Sequence, residues 1–82
     1  MIASLVATLK WEDGSRFEDT LNRLQHRMGI EMGQRFGVQL PMTIESESTE
    51  GLVSLTQWVQ DLDGILHVDI VFASFEPPAI GE

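Results

Sequence analysis

The segment 51–76 constrains the fold more than any other part of the chain, because it encodes a helix followed directly by a strand. Its apolar residues first recur at the spacing that aligns side chains along one side of a helix, at Leu52, Leu55, Val59 and Leu62. Gly64 predicts the end of this helix, since glycine readily adopts the positive φ found after helix C-termini. From Ile65 onwards the pattern alternates in steps of two, as it does in a strand.

This last strand is predicted to present two different faces. One face carries Leu66, Val68, Ile70 and Phe72, and the other carries His67, Asp69, Val71 and Ala73. A helix stripe and a strand face that are this apolar must be covered by other elements. The rest of the chain is therefore expected to supply a second helix and further strands.

The first half of the chain contains matching elements. Residues 2–9 alternate as a strand with two largely apolar faces, which suits a central position in a sheet. The stretch from Ser15 to Glu18 has the pattern of a capping box, and it predicts a helix that continues to Gly29. Phe17, Leu21, Leu24 and Met28 are predicted to form the apolar stripe of that helix.

The middle of the chain predicts two shorter strands, at 30–33 and 38–45, joined by a hairpin turn. Pro41 has no backbone N–H, so a bulge or an unpaired position is expected at that point of the second strand. Ser48 or Thr49 is expected to be the N-cap of the helix that follows.

The element order is then strand, helix, strand, strand, helix, strand. It predicts an α+β fold of the ferredoxin-like βαββαβ type, in which a four-stranded antiparallel sheet carries both helices on one face. Residues 1–82 are expected to form one domain, with Pro77-Pro78 ending the last strand and 77–82 forming a frayed tail. The second sheet face is expected to have no helix over it. Three roles are open for this face: a binding platform, a dimer surface or solvent-exposed sheet.

The charge of the chain restricts its partners. The net charge is −8, and all five lysines and arginines lie within the first 35 residues. The eight acids after Arg35 predict repulsion of nucleic acid and anionic membranes and attraction of a basic peptide. Solubility alone is an alternative reason for such a charge.

Several classes of protein are disfavoured by composition. Cysteine is absent, so disulfides and thiolate metal sites are excluded. The apolar runs are too short for a membrane helix. The N-terminus lacks the basic region of a signal peptide and is interpreted as a strand. No serine has a His/Asp arrangement that would activate it, and no glycine-rich phosphate loop is present.

Three stretches resemble the NapD family, whose members are small cytoplasmic chaperones for assembly of the periplasmic nitrate reductase. Residues 2–7 resemble the opening ISSLVV-type strand of that family. Gln39-Leu40 with Thr43-Ile44-Glu45 resembles its third strand, and 51–72 resembles its second helix, cap and last strand. The family's last strand usually ends in a Tyr-His pair, where this chain has Phe72-Ala73.

This resemblance implies a chaperone that is not an enzyme and has no cofactor. Such a protein binds the twin-arginine signal peptide of a nitrate reductase catalytic subunit, or of a related molybdoenzyme, in the cytoplasm. It delays export until the molybdenum cofactor is inserted. A monomer or weak dimer, without nucleic acid and without stable membrane association, is expected. The peptide would lie as a helix against the helix-free sheet face, on the predicted contact residues Ser4, Val6, Thr8, Thr43, His67, Asp69 and Val71.

Acidic residues at one sheet edge are a second candidate feature. The end of the second helix should lie near the end of the first strand, which would gather Glu12, Asp13, Asp61 and Asp63. One hypothesis is that these acids steer the arginines, and the alternative is an ordinary solvated helix end. His67 and Asp69 share a strand face but are too few for a metal site.

Two other functions fit the same fold. One is a small-molecule-sensing or oligomerisation module that pairs its sheets across a dimer. The other is a small enzyme of the acylphosphatase-like type, which needs an arginine in an anion-binding loop and a nearby asparagine. The single asparagine, Asn22, falls in the middle of a predicted helix and disfavours that enzyme.

Overall fold

The computed structural model describes residues 1–74 and contains six elements in the predicted order. These elements are β1 (Ile2–Leu9), α1 (Ser15–Gln25), β2 (Ile30–Met32), β3 (Gln39–Glu45), α2 (Thr49–Asp61) and β4 (Ile65–Ser74). The predicted strand end at Pro77-Pro78 and the tail at 77–82 lie outside the described residues, and the single domain over 1–82 stays a prediction.

The four strands form one antiparallel sheet in the order β2-β3-β1-β4. β1 is central, as its two apolar faces predicted, and it pairs with β3 without a register shift. Both helices pack on the sheet face that carries the buried residues of β1: Ala3, Leu5, Ala7 and Leu9. The predicted ferredoxin-like fold is confirmed.

The core lies between this sheet face and the two helices. β3 contributes Leu40, Met42 and Ile44, which alternate along the strand as predicted. The helices contribute Leu24 from α1 and Leu52, Leu55 and Val59 from α2, followed by Leu62 just beyond its end. The apolar stripe of α2 is thus confirmed, whereas Met28 is 91% exposed because α1 ends at Gln25.

β4 departs from the predicted alternation, because its pairing with β1 contains two register shifts. Val68 and Ile70 lie opposite Ala7 and Leu5, on the core side of the sheet. After the second shift Phe72 lies opposite Ser4, on the other side. The prediction that Leu66, Val68, Ile70 and Phe72 share one covered face is wrong. Leu66, Ile70 and Phe72 are 60%, 56% and 57% exposed, and of the four only Val68 packs against the core.

The two helix starts differ in how they are capped. Gly14 is the N-cap of α1, with no side-chain hydrogen bond, so the predicted capping box at Ser15 is wrong. In α2 the Ser48 hydroxyl accepts a hydrogen bond from Gly51 N at 3.0 Å, which confirms Ser48 as an N-cap.

Ser48→Ala is expected to lower the free energy of unfolding by about 1 kcal/mol, because it removes the acceptor for a helix N–H. Ser15→Ala is the matched control and should change stability by less than about 0.5 kcal/mol, since Ser15 caps nothing. Chemical denaturation of both variants measures the difference. Equal losses in the two variants would contradict the assignment of the caps.

Pro41 fits into β3 without a bulge, because of where its missing donor points. Its carbonyl accepts from Gly33 N at 2.8 Å, so the nitrogen of Pro41 faces the same neighbour. The β2 ladder has ended at Met32, which pairs with Met42. The nitrogen of Pro41 therefore lies just beyond the β2 ladder, where no donor is needed, which corresponds to the second of the two predicted solutions.

The junction of α2 and β4 is packed tightly against α1. Gly64 is buried and has a φ of +106°. The buried Thr20 of α1 places its Oγ1 2.9 Å from Arg16 O and 3.1 Å from Asp63 O. Thr20 thereby ties the first helix to the turn that precedes β4.

Candidate functional site

The sheet face opposite the core is called the open sheet face here, and within residues 1–74 no helix lies over it. By register and alternation it consists of Ile2, Ser4, Val6 and Thr8 from β1, Gln39, Pro41, Thr43 and Glu45 from β3, Glu31 from β2, and His67, Asp69 and Phe72 from β4. Its side chains are exposed or half-buried throughout.

The register brings together six of the seven predicted contact residues. Ser4 lies between Thr43 and Phe72. Val6 lies between Pro41 and Asp69, and Thr8 lies between Gln39 and His67. Val71, the seventh, is left without a partner by a register shift of β4 and is 67% exposed. The role of all seven in binding stays a prediction.

An apolar strip crosses the open sheet face over three strands. Pro41 and Val6 lie side by side on β3 and β1 and are half-buried. Ile2 and Phe72 extend the strip along β1 and onto β4, and both are exposed. Phe72 was missed by the sequence pattern, because simple alternation assigned it to the core. Exposed apolar side chains that adjoin one another on a surface mark a binding face more often than isolated ones do.

The end of the open sheet face near Thr8 is polar and internally bonded. His67 Nε2 lies 3.1 Å from Asp69 Oδ2, and both side chains are exposed. Gln39 Nε2 donates to Thr8 Oγ1 at 3.3 Å. The Asp69 carboxylate therefore already has a partner within the face.

The opposite end of the open sheet face is acidic. Glu31 and Glu45 border a cavity of about 220 Å³ together with Ile2, Ile30, Thr43 and Gly29. Neither carboxylate forms an ion pair within the described part of the chain. The sequence did not single out these two acids, although Thr43 and Glu45 share the parity of one strand face.

All five lysines and arginines interact with groups away from the open sheet face. Four of them lie over aromatic rings: Lys10 and Arg16 over Trp11 at 5.4 and 5.3 Å, Arg27 over Trp58 at 5.0 Å, and Arg35 over Phe17 at 4.7 Å. The fifth, Arg23, is paired with Asp19 at 3.0 Å, as i,i+4 spacing allows. The open sheet face consequently carries carboxylates and no lysine or arginine.

The end of β1 lies beside the turn after α2, at the edge predicted to gather Glu12, Asp13, Asp61 and Asp63, and the gathering of these four acids stays a prediction. Lys10 N donates to Gly64 O at 2.7 Å, which joins the end of β1 to the turn after α2. Asp63 borders a cavity of about 410 Å³ together with Trp11 and Arg16. The edge thus carries both signs of charge, and its role in steering arginines stays a prediction.

Among residues 1–74 no group of three or more His, Asp or Glu side chains is arranged to hold a metal ion. In the same part of the chain, neither helix is long and apolar enough to cross a membrane.

Comparison with known proteins gives a full-length structural match. The chain is similar to the solution structure of the E. coli Tat proofreading chaperone protein NapD, with a TM-score of 0.76. The match covers 100% of this chain and 85% of that chain at 26% sequence identity. No family model and no curated protein matches the sequence. The resemblance to NapD that three sequence stretches indicated is confirmed.

Proposed function

We propose that this NapD-like chain is a chaperone that binds the twin-arginine signal peptide of a nitrate reductase catalytic subunit or of a related molybdoenzyme. Binding delays export of the precursor until its molybdenum cofactor is inserted. The chaperone acts in the cytoplasm and performs no chemistry on the peptide. The full-length likeness to a Tat proofreading chaperone supports this role.

The observation that carries the proposal is the composition of the open sheet face. A twin-arginine signal peptide offers two cations followed by an apolar run. The open sheet face offers the complement, with an apolar strip, three carboxylates and no lysine or arginine. Burial of the apolar surfaces supplies most of the affinity, and complementary charge supplies specificity and orientation.

The dimensions of the sheet suit a helical ligand. Neighbouring strands lie about 4.8 Å apart, so the four strands span roughly 14 Å between their outer axes. One helix with its side chains is about 10–12 Å across, and it therefore covers the apolar strip in a single layer. An amphipathic helix laid on such a surface is a recurrent mode of peptide recognition.

The precursor is retained because the chaperone covers its signal peptide. While its arginines and apolar run are held against the sheet, they are unavailable to any other receptor. The net charge of −8 accelerates encounter with a basic peptide and makes it sensitive to salt. Release then requires only dissociation, since no covalent bond is formed.

Calorimetric titration with a twin-arginine signal peptide from a molybdoenzyme of the same source tests this function. We expect saturable binding at low salt that weakens as salt is added. A peptide with both arginines replaced by lysine should bind several-fold more weakly, because lysine lacks the planar fork of donors that fits carboxylates. Absence of binding at low salt would contradict the proposal.

Oligomeric state distinguishes the proposal from the sensing or oligomerisation module. Pairing of two open sheet faces would bury Glu31, Glu45 and Asp69 of both copies in one interface that contains no lysine or arginine, which disfavours that arrangement. We therefore expect a monomer or weak dimer by sedimentation. A tight dimer that protects the open sheet face from solvent would support the sensing module instead.

A further inference from the structure

We propose that the cavity between Glu31 and Glu45 receives an arginine side chain of the bound peptide. This assignment rests on the proposed function, and it fixes which end of the open sheet face holds the basic part of the ligand. It also replaces the edge near Asp61 and Asp63 as the principal arginine site.

The register places the two carboxylates on neighbouring strands of one face. Glu31 lies opposite Thr43, and Glu45 lies two residues further along β3, opposite Ile2 of β1. Side chains in such diagonal positions are within reach of one ligand group, since their Cα atoms are about 7–8 Å apart. A guanidinium has five donors in a fixed fork and can bond both carboxylates at once.

The size and lining of the cavity fit one long side chain. Its volume of about 220 Å³ lies below the range of roughly 300–1,000 Å³ that is usual for sites of small molecules and cofactors. Ile2 supplies an apolar wall, which suits the aliphatic stem of an arginine, while its charged head lies between the carboxylates.

In the described part of the chain, Glu31 and Glu45 are not paired with a basic side chain, whereas the other candidate acids have basic neighbours. Asp69, the third carboxylate of the open sheet face, already lies 3.1 Å from the His67 ring. The acids of the other edge share it with Lys10 and Arg16, which lie over Trp11. Among residues 1–74, Glu31 and Glu45 have no ion pair, and no lysine or arginine lies on their face.

The position of the cavity also gives the bound peptide a direction. The acids lie on the β2 and β3 side of the sheet, whereas Phe72 lies on β4 at the other side. A peptide with its arginine at the cavity would lay its apolar run across β1 near Ser4, with Ile2 and Val6 on either side, towards Phe72. The reverse orientation would place the cation over the apolar strip.

A matched pair of double variants tests the assignment. Glu31→Gln with Glu45→Gln removes the two cavity charges, and Asp61→Asn with Asp63→Asn makes the same change in net charge at the other edge. All four side chains are exposed, so both variants should fold, which circular dichroism verifies. Each protein is titrated with the twin-arginine peptide and with a peptide that has glutamine at both arginine positions.

We expect the cavity variant to bind the twin-arginine peptide about three- to tenfold more weakly than the parent does, because partly exposed charge pairs contribute modestly. Its affinity for the glutamine peptide should be unchanged. The variant at Asp61 and Asp63 should lose less than about twofold at physiological salt, because only long-range attraction is removed.

Three results would overturn the assignment. Equal losses in the two double variants would show that total charge, not the cavity, attracts the peptide. An unchanged affinity of the cavity variant would place the arginines elsewhere while leaving the proposed function intact. If the parent protein itself binds no twin-arginine peptide, the proposed function fails and the assignment fails with it.

Discussion

Gly64→Ala is expected to lower the free energy of unfolding by about 3 kcal/mol or more, because it combines backbone strain with a collision in the core. The φ of +106° is unfavourable for any residue with a Cβ. A Cβ at this position would collide with the Thr20 hydroxyl and lie 3.0 Å from Thr20 Cβ. Thr20 has little freedom to move, since it is buried and its single hydroxyl proton is shared between two carbonyl oxygens.

Gly14→Ala is the control for the backbone contribution. Gly14 has a similar φ of +94°, but a Cβ there would have no heavy atom within 4 Å. Urea denaturation of both variants should therefore show a loss for Gly14→Ala that is smaller by about 1–3 kcal/mol. If the two losses are equal, the contact with Thr20 contributes nothing, and strain alone explains the requirement for glycine.

Val6→Arg is expected to weaken binding of the twin-arginine peptide by about 30-fold or more, because it changes the centre of the open sheet face. Val6 lies between Pro41 and Asp69 on the central strand. A guanidinium there would occupy the apolar strip and would place an arginine on a face that has no lysine or arginine. Titration calorimetry at fixed salt measures the loss, which tests the proposed function and its location together.

Val53→Arg makes the same substitution on the other side of the molecule. Val53 lies on α2 and is 54% exposed, so the arginine should be accommodated in solvent. Its peptide affinity should stay within about twofold of the parent value, since it changes net charge but not the open sheet face. Similar losses in both variants would mean that the peptide does not bind on the sheet.

The elements that the sequence predicted well are those whose signal lies in their own residues. β1 has the predicted bounds of 2–9 because its alternation is uninterrupted. The stripe of α2 and its N-cap at Ser48 are local patterns of a few residues. The interleaved order of strands then leaves few possible topologies, which is why the sheet order followed from the elements.

The features that the sequence did not predict depend on pairing between distant segments. The register shifts of β4 arise from its fit to β1, and simple alternation therefore assigned Phe72 to the wrong face. The cavity of Glu31 and Glu45 forms only when β2, β3 and β1 lie side by side. At the start of α1, Ser15 matched a capping motif, but the chain enters the helix one residue earlier, at Gly14.

The register shifts of β4 affect the unpaired outer edge of the sheet as well as the face on which Phe72 lies. β4 is the long outer strand of the sheet, and within the described residues its far side pairs with no other strand. A regular outer strand with exposed apolar residues is a template on which further chains add and aggregate. Bulges increase the local twist and interrupt the spacing of free N–H and C=O groups, so an incoming strand meets a broken ladder. The irregularity that turns Phe72 onto the open sheet face thereby also limits growth of the sheet into fibres.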